Sequence, residues 1–238
     1  MLFANKRLVI IGGSSGMGLA TAKAATAAGA QVVIASRSHE KLETARREIG
    51  GDTEVMPIDI RDEAAIQAFF DRVGEFDHLT TPGSEATGGA FLTRDAAGVR
   101  ADFDSKFWGQ YLAAKYGAPR IRPGGSIVFF SGIYSQRPSA GVSGVAAINS
   151  AIEGLARALA VELAPIRVNA VSPGLVDTPI FDYMQKKDKA EMFQRFAAAA
   201  PIKRVGRPEE VALAVLHLMA NSFTTGTTLF VDGGYLLR

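Results

Sequence analysis

The chain has 238 residues, a formal net charge of +2 and no cysteine. Its length suits one large α/β domain, and its 47% hydrophobic content is ordinary for a globular protein. The absence of cysteine excludes disulfides and thiolate zinc sites, and the small net charge gives no electrostatic reason to expect nucleic acid or membrane partners. No histidine pair has metal-ligand spacing, so we predict no metal site. We expect a cytoplasmic protein, because the first strand follows residues 1–7 at once and leaves no room for a signal peptide.

Short β-branched runs alternate with longer helical segments along the whole chain. This alternation predicts βαβ units and a parallel sheet within a single domain spanning residues 1–238. Strands are predicted at 8–11, 31–35, 53–58, 76–80, 126–130, 167–171 and 228–231. Helices are predicted at 16–28, 40–49, 63–73, 97–118, 142–164 and 209–219. Residues 177–208 are irregular apart from a helical piece near 189–199, and we expect them to form a flap over a site.

A glycine-rich turn, from Gly12 to Gly18, joins the first strand to the first helix. Glycine lets backbone approach a ligand closely, and the N-terminus of the following helix offers free N–H groups to a pyrophosphate. A lone glycine motif would equally suit a tight strand–helix turn. The strand before it, the helix after it and the repeated βαβ pattern favour dinucleotide binding instead. The predicted contacts are Gly12, Ser14, Ser15, Gly16 and Met17.

The end of the second strand predicts which dinucleotide is bound. An acidic residue there would bind the adenosine ribose and favour NAD. This chain has Ser36-Arg37-Ser38 instead. The guanidinium of Arg37 can hold a 2′-phosphate, with serine hydroxyls assisting, so we predict NADP(H) rather than NAD(H). The alternative is that Arg37 is simply a surface cation at a strand end.

Several further motifs resemble those of the short-chain dehydrogenase/reductase family. They are Asp59-Ile60, the segment from Arg167 to Gly174, Asp177-Thr178-Pro179, 206–210 and 231–234. The resemblance implies a Rossmann-type, doubly wound, seven-stranded parallel sheet with helices on both faces. It implies that Asp59 and Ile60 bind adenine. It also implies that Pro173, Gly174, Val176 and Thr178 bind the nicotinamide end.

The family's catalytic positions fall on unusual residues here. Anchored on Glu153-Gly154-Leu155, the family's Tyr and Lys fall on Val145 and Asn149. Its Ser falls on Gly132 and its helical Asn on Lys106. The family's Asn-Asn-Ala-Gly loop becomes Thr80-Thr81-Pro82-Gly83, of which we include Pro82 and Gly83 in the cofactor site. We therefore expect an atypical member that lacks the usual tetrad.

Three other residues are candidates for the proton donor: Ser131 at a strand end, Tyr134 in the next loop and Lys106. A buried lysine can have its pKa lowered toward useful values. Each has an ordinary alternative role: Ser131 as a strand cap, Tyr134 in surface packing, and Lys106 in an ion pair with Asp102 or Asp104. We also expect Asn149 to bind the nicotinamide ribose.

These observations favour an NADP(H)-dependent oxidoreductase that interconverts carbonyls and alcohols with a non-standard proton donor. A non-catalytic NADP(H)-binding sensor or partner subunit is the alternative, and a lyase or isomerase on the same fold is a third. Apolar residues of the flap suggest a moderately hydrophobic small-molecule substrate: Ile180, Phe181, Tyr183 and Met184. The resemblance implies a homodimer or homotetramer formed through the two long helices.

Overall fold

The computed structural model describes residues 1–83 and 86–237. It contains a seven-stranded parallel sheet in the order β3-β2-β1-β4-β5-β6-β7. The strands are β1 (Arg7–Ile11), β2 (Gln31–Ser36), β3 (Thr53–Pro57), β4 (Phe76–Thr80), β5 (Ile121–Phe130), β6 (Arg167–Pro173) and β7 (Thr228–Val231). The predicted Rossmann-type fold is confirmed. Strand order reverses between β1 and β4, and a crevice for ligands forms at the carboxyl ends of strands at such a point.

Helices cover both faces of the sheet. They are α1 (Gly16–Ala27), α2 (His39–Ile49), α3 (Glu63–Val73), α4 (Ala96–Phe103), α5 (Gly109–Gly117), α6 (Ser143–Glu162), α7 (Lys186–Ala199) and α8 (Pro208–Ala220). Helices α1, α2 and α8 pack on one face, and α3, α5 and α6 pack on the other. Strand side chains alternate between the two core layers, which is why β1 and β2 read as continuous apolar runs.

The predicted helix at 97–118 is wrong as a single element. Helix α4 ends at Phe103, a π-turn spans Asp104–Trp108, and α5 begins at Gly109. A π-turn places an extra residue in the helix and leaves backbone groups free of their usual partners. The side-chain amide of Gln110 donates to the carbonyl of Lys106 at 2.9 Å and so replaces a lost backbone bond. The turn therefore has a specific side chain that stabilises it.

Strand β5 also differs from its prediction, since it begins at Ile121 rather than at Ser126. Pro123, Gly124 and Gly125 are poor strand formers, so local propensity predicted a loop there. Pairing of Phe76 with Ile121, across an irregularity in the β4–β5 register, extends the strand nonetheless. Tertiary pairing overrides local preference at this edge.

Among the described residues, α6 is the one helix long and apolar enough to cross a membrane, judged by length and composition alone. Its inner face carries Ile148, Ile152 and Ala156, which are fully buried against the sheet. Two buried polar residues of the same helix, Asn149 and Glu153, are hydrogen-bonded to the end of β5 and the loop after it. These contacts identify α6 as part of the core layer of the domain.

Candidate cofactor and active site

The glycine-rich turn lies in direct backbone contact with the loop after β4. Gly12 has φ +100°, and a Cβ there would lie 2.2 Å from Cα of Gly83. The amide of Gly83 donates to the carbonyl of Ile11 at 3.0 Å. A Cβ at Gly18 would lie 2.0 Å from the carbonyl oxygen of Gly12. Side chains are thus excluded at Gly12 and Gly18, and a backbone of this kind before a helix N-terminus suits a phosphate ligand.

The segment after β6 closes on the same turn. A Cβ on Gly16, which has φ +51°, would lie 3.3 Å from Cβ of Thr178. Val176 is buried and forms a bridge to Gly206, and Pro173 ends β6. The segment after β6 and the glycine turn therefore lie side by side.

The end of β2 holds a buried hydroxyl without a partner. The Oγ atom of Ser36 is buried, and within the described part of the chain it forms no hydrogen bond. Arg37 follows it and is exposed, and its positive charge contributes to lowering the pKa of Asp59. Ser38 caps α2 by accepting from the amide of Lys41 at 3.3 Å. A buried hydroxyl beside a cation and a helix N-terminus suits a phosphate group.

Asp59 lies in the loop after β3. The Arg61 guanidinium donates to its carboxylate at 2.7 Å and 3.0 Å, and these bonds lower the pKa of Asp59 to about 2. Asp59 is therefore ionised and accepts hydrogen bonds. Ile60 packs against the backbone of α5, where a Cβ on Gly109 would lie 2.6 Å from its Cγ1.

Lys106 reaches from the π-turn to the carboxyl end of β5. Its Nζ atom donates to Oδ1 of Asn149 at 2.7 Å and to the carbonyl of Ser131 at 3.2 Å. The amide of Asn149 donates in turn to the carbonyl of Gly132 at 3.1 Å. Removal from water lowers the pKa of Lys106 to about 8, and the attraction of Asp102 opposes this. Three positions that are separate in sequence thus form one polar cluster.

The expected alternative role of Lys106, an ion pair with Asp102 or Asp104, is wrong. Arg94 forms an ion pair with Asp102 at 2.5 Å, and both side chains are largely buried. Asp104 is exposed, and Lys106 forms no ion pair with any carboxylate of residues 1–83 and 86–237. The ammonium is bonded to neutral oxygens, and it has a third N–H beyond the two bonds described.

Ser131 is buried directly after β5, and its hydroxyl is hydrogen-bonded to α6. Its Oγ donates to Oε1 of Glu153 at 2.8 Å and contacts the carbonyl of Asn149 at 3.1 Å. Ser135 and Gln136 also donate to the carboxylate of Glu153. Ser131 is thus part of a buried network that holds the end of β5 against α6.

Tyr134 lies in a 3₁₀ turn, Ile133–Ser135, after β5. Its side chain is half-buried, and burial raises the pKa of its hydroxyl. Ser139 hydrogen-bonds to that hydroxyl. Tyr134 is therefore a weaker acid than an exposed tyrosine.

The predicted flap, 177–208, contains a 3₁₀ turn and helix α7. The Nζ of Lys189 on α7 pairs with Asp177 at 3.0 Å and Asp182 at 3.2 Å. Phe196 stacks on Tyr235 with ring centroids 4.4 Å apart. A Cβ on Gly174 would lie 3.0 Å from Cζ of Phe196, so the flap meets the crevice beside Gly174.

Two residues at the site were not predicted. Gln110 is fully buried, accepts from Thr81 at 2.8 Å and from the Phe130 amide at 2.8 Å, and donates to the Phe130 and Lys106 carbonyls. Lys41 lines a small cavity of about 190 Å³ together with Ser14. A polar residue in an apolar helix was the available signal for Gln110. No sequence signal pointed to Lys41, because its nearness to Ser14 depends on how α2 packs beside the glycine-rich turn.

Residues 12–236 match a family model described as enoyl-(acyl carrier protein) reductase. The chain belongs to the short-chain dehydrogenase/reductase family. It is 35% identical over 246 residues to a cis-4-hydroxycyclohexanecarboxylate dehydrogenase of Sinomonas cyclohexanicum, covering 98% of this chain and 97% of the relative. A solved small-chain dehydrogenase in complex with NADPH is 36% identical, with a TM-score of 0.84, over 98% of this chain and 99% of that one. A solved short-chain dehydrogenase/reductase family protein has a TM-score of 0.92 at 31% identity, over the full length of both chains.

The relatives named here as dehydrogenases are oxidoreductases of the short-chain dehydrogenase/reductase family. The fold of the relatives extends over the entire sheet and both helix layers. The crevice described above lies where strand order reverses, which is where this class of sheet binds its ligands.

Proposed function

We propose that this protein is an NADP(H)-dependent oxidoreductase that interconverts a carbonyl and an alcohol. The observation that carries the proposal is that the glycine turn, the loop after β4 and the segment after β6 lie against one another at the carboxyl edge of the sheet. We assign residues of these segments to both ends of a dinucleotide. A protein that only bound the adenosine half would not need the nicotinamide end.

The residues present fit NADP(H). The backbone around Gly12, Ser14, Ser15, Gly16 and Met17 would hold the pyrophosphate. Ser36 and Arg37 would hold the 2′-phosphate, and Lys41 would add a second positive charge nearby. Asp59 and Ile60 would bind adenine, while Pro82, Gly83, Asn149, Pro173, Gly174, Val176 and Thr178 would line the remaining crevice. The bound cofactor supplies or accepts the hydride.

Lys106 is our proposed proton donor. Its partly buried side chain places an ammonium at the end of β5, and its lowered pKa suits proton exchange near neutral pH. In carbonyl reduction, the C=O π bond breaks as the hydride adds to carbon and the lysine proton adds to oxygen. Lys106 then regains a proton from water. Val145, Gly132 and Asn149 cannot donate a proton, which is why we propose that the usual tetrad is absent.

Ser131 and Tyr134 are less suitable proton donors than Lys106. The Ser131 hydroxyl is bonded to Glu153, and burial makes the Tyr134 hydroxyl a weaker acid. We assign both a structural role. Asn149 remains able to bind the ribose through the amide hydrogen that Gly132 does not accept.

The substrate is proposed to be a moderately hydrophobic small molecule. Ile180 and Tyr183 of the flap are exposed apolar side chains at the margin of the crevice. One relative is named as a cis-4-hydroxycyclohexanecarboxylate dehydrogenase, and the ring of that compound is apolar although its carboxylate is charged. We propose that the flap closes over such a molecule and that the protein works in the cytoplasm without nucleic acid or membrane partners.

We further propose a homodimer or homotetramer. Trp108 is 46% exposed and Tyr111 36% exposed on the outer side of the π-turn and α5. They line an open surface depression of about 860 Å³ together with Leu112 and Lys115. Aromatic side chains of this kind are enriched at subunit interfaces.

The test is NADPH oxidation by purified protein with a panel of cyclic and aromatic aldehydes and ketones. Turnover in the wild type and in Ser131→Ala and Tyr134→Phe, together with its loss in Lys106→Met, would support the proposal. NADPH binding without turnover of any compound would favour the non-catalytic sensor. Product formation without added cofactor would identify a lyase or isomerase instead.

A further inference from the structure

Lys106 is a cation in an unusual position, because its two hydrogen bonds both go to neutral oxygens. The carboxylate of Asp102 attracts it, but Arg94 already forms an ion pair with that carboxylate. On α6, the Glu153 carboxylate is bonded to the neutral groups of Ser131, Ser135 and Gln136. A positive charge that lacks its own counter-ion in a partly dry site is sensitive to any charge that a ligand brings.

The position of this charge relative to the crevice is fixed by a chain of contacts. Gly83 lies against the glycine turn, and Thr81, two residues before it, donates to Gln110 at 2.8 Å. Gln110 holds the carbonyl of Lys106, and Lys106 holds the carbonyl of Ser131. The ammonium therefore lies at the carboxyl edge of the sheet, between the ends of β4 and β6, at the nicotinamide end of the proposed site.

The two oxidation states of the cofactor differ by one charge at that end. The nicotinamide ring of NADP⁺ is cationic and that of NADPH is neutral, whereas their phosphates carry the same charge. Any effect of Lys106 on the phosphates therefore cancels when the two forms are compared.

We infer that Lys106 makes this site discriminate between the oxidation states of its cofactor, so that NADPH binds more tightly and NADP⁺ binding expels a proton from the lysine. This inference rests on the proposed function. During carbonyl reduction Lys106 loses its positive charge in the same turnover in which the ring gains one. The chemical step thus leaves one positive charge in the pocket rather than two.

The pH dependence follows from the sign of this repulsion. At low pH the lysine is protonated, and NADP⁺ binding is opposed most strongly. At high pH the lysine is neutral, and Lys106 no longer makes the affinities for NADP⁺ and NADPH differ. We expect the ratio of the Kd of NADP⁺ to that of NADPH to fall about tenfold from pH 6.5 to pH 9.5. This is the effect expected if the cationic ring lowers the pKa of Lys106 by about one unit.

The experiment is isothermal titration calorimetry of the wild-type protein with NADP⁺, NADPH and 2′-phospho-ADP-ribose, which lacks the ring. Measurements in buffers of different ionisation enthalpy count the protons released. We expect proton release with NADP⁺ that exceeds that with the other two ligands. Lys106→Met should abolish this excess and the pH dependence of the ratio, and Lys23→Met, on the exposed side of α1, should retain both.

Equal proton release for NADP⁺ and NADPH, with a ratio independent of pH, would overturn the inference while leaving the proposed function intact. Because this result is read on the wild type, it does not depend on the folding of Lys106→Met. Failure of all three ligands to bind would remove the proposed function and this inference together.

Discussion

The Nζ atom of Lys106 lies 2.7 Å from Oδ1 of Asn149, which joins the π-turn to the middle of α6. The two side chains occupy the positions where the family resemblance places an asparagine and a lysine, respectively. Each position thus holds the residue type expected at the other. The ammonium is retained at the end of β5 but is supplied from the opposite helix, which is the basis for assigning proton transfer to Lys106.

The pH dependence of reduction should follow the titration of Lys106. The ammonium must be protonated to donate, and its pKa is lowered to about 8 by burial, so kcat for carbonyl reduction should fall as pH rises above that value. Lys106→Arg should lower kcat, because a guanidinium does not give up its proton in this range, and should remove the fall with pH, because the group stays charged throughout. Loss of the general acid in Lys106→Met should lower kcat by ~10²–10⁴. Steady-state kinetics from pH 6 to 10 tests this, and an unchanged profile in Lys106→Arg would count against the assignment.

Replacement of Arg37 should weaken NADPH binding selectively. Hydrogen bonds to a charged group contribute about 1.5–3 kcal/mol, so Arg37→Ala should raise the Kd for NADPH roughly 10–100-fold. The Kd for NADH, which has no 2′-phosphate, should change little. Arg46→Ala is the matched control, because Arg46 is an exposed arginine of α2 paired with Glu43. Equal losses for both nucleotides would contradict a 2′-phosphate role.

Gly12→Ala should destabilise the fold far more than Gly50→Ala, although both glycines have positive φ. Gly12 combines φ +100° with backbone atoms 2.2 Å from the added Cβ, whereas Gly50 has φ +73° and nothing within 4 Å. Urea denaturation should show a loss of roughly 2–5 kcal/mol for Gly12→Ala and about 1–2 kcal/mol for Gly50→Ala. Only the former should abolish nucleotide binding. Similar losses in the two variants would show that crowding against Gly83 has no consequence.

His78 should make the fold less stable in acid. It is 4% exposed on β4, its Nδ1 lies 2.9 Å from Oγ of Ser126, and burial lowers its pKa to about 4. The unfolded chain binds a proton near pH 6.5, so stability is lost as pH falls from 6.5 toward 4. The loss between pH 6.5 and 4.5 should be about 2 kcal/mol. Urea denaturation of the wild type and His78→Gln checks this, and parallel curves for the two proteins would exclude the histidine as the cause.

A charge on the outer face of α5 should dissociate the proposed oligomer. Tyr111→Glu places a carboxylate beside Trp108 in the open depression, which would have to be desolvated on association. Analytical ultracentrifugation should show smaller species than the wild type at the same concentration. Leu2→Glu, at an exposed apolar residue near the N-terminus, should leave the sedimentation unchanged. A monomeric wild type would contradict the proposal.

Much of the fold could be predicted from local sequence signals. The bounds of α3, β4 and β7 are those expected from periodicity and composition, and Gly29, with φ +96°, follows the end of α1 as expected. These elements have strong periodicity, and Gly29 supplies a clear stop signal. The start of β5 could not be predicted, because pairing with β4 determines it.

The polar cluster of the site was harder to predict than the fold. Sequence placed Lys106, Ser131 and Asn149 in one neighbourhood, but not their mutual contacts. Whether Lys106 points to Asn149 or to Asp102 depends on the π-turn, and Gln110 supports that turn from the following helix. A single inserted residue rotates the helix surface locally, so spacing along the sequence gives no warning of it.

The backbone contact between Gly12 and Gly83 constrains how this chain can diverge. The two glycines belong to loops that follow β1 and β4, adjacent strands that come from distant parts of the sequence. Enlarging either residue alone would push the two strand ends apart. Substitution at one position therefore requires a compensating backbone shift at the other, and the two loops must evolve as a pair even though dozens of residues separate them in sequence.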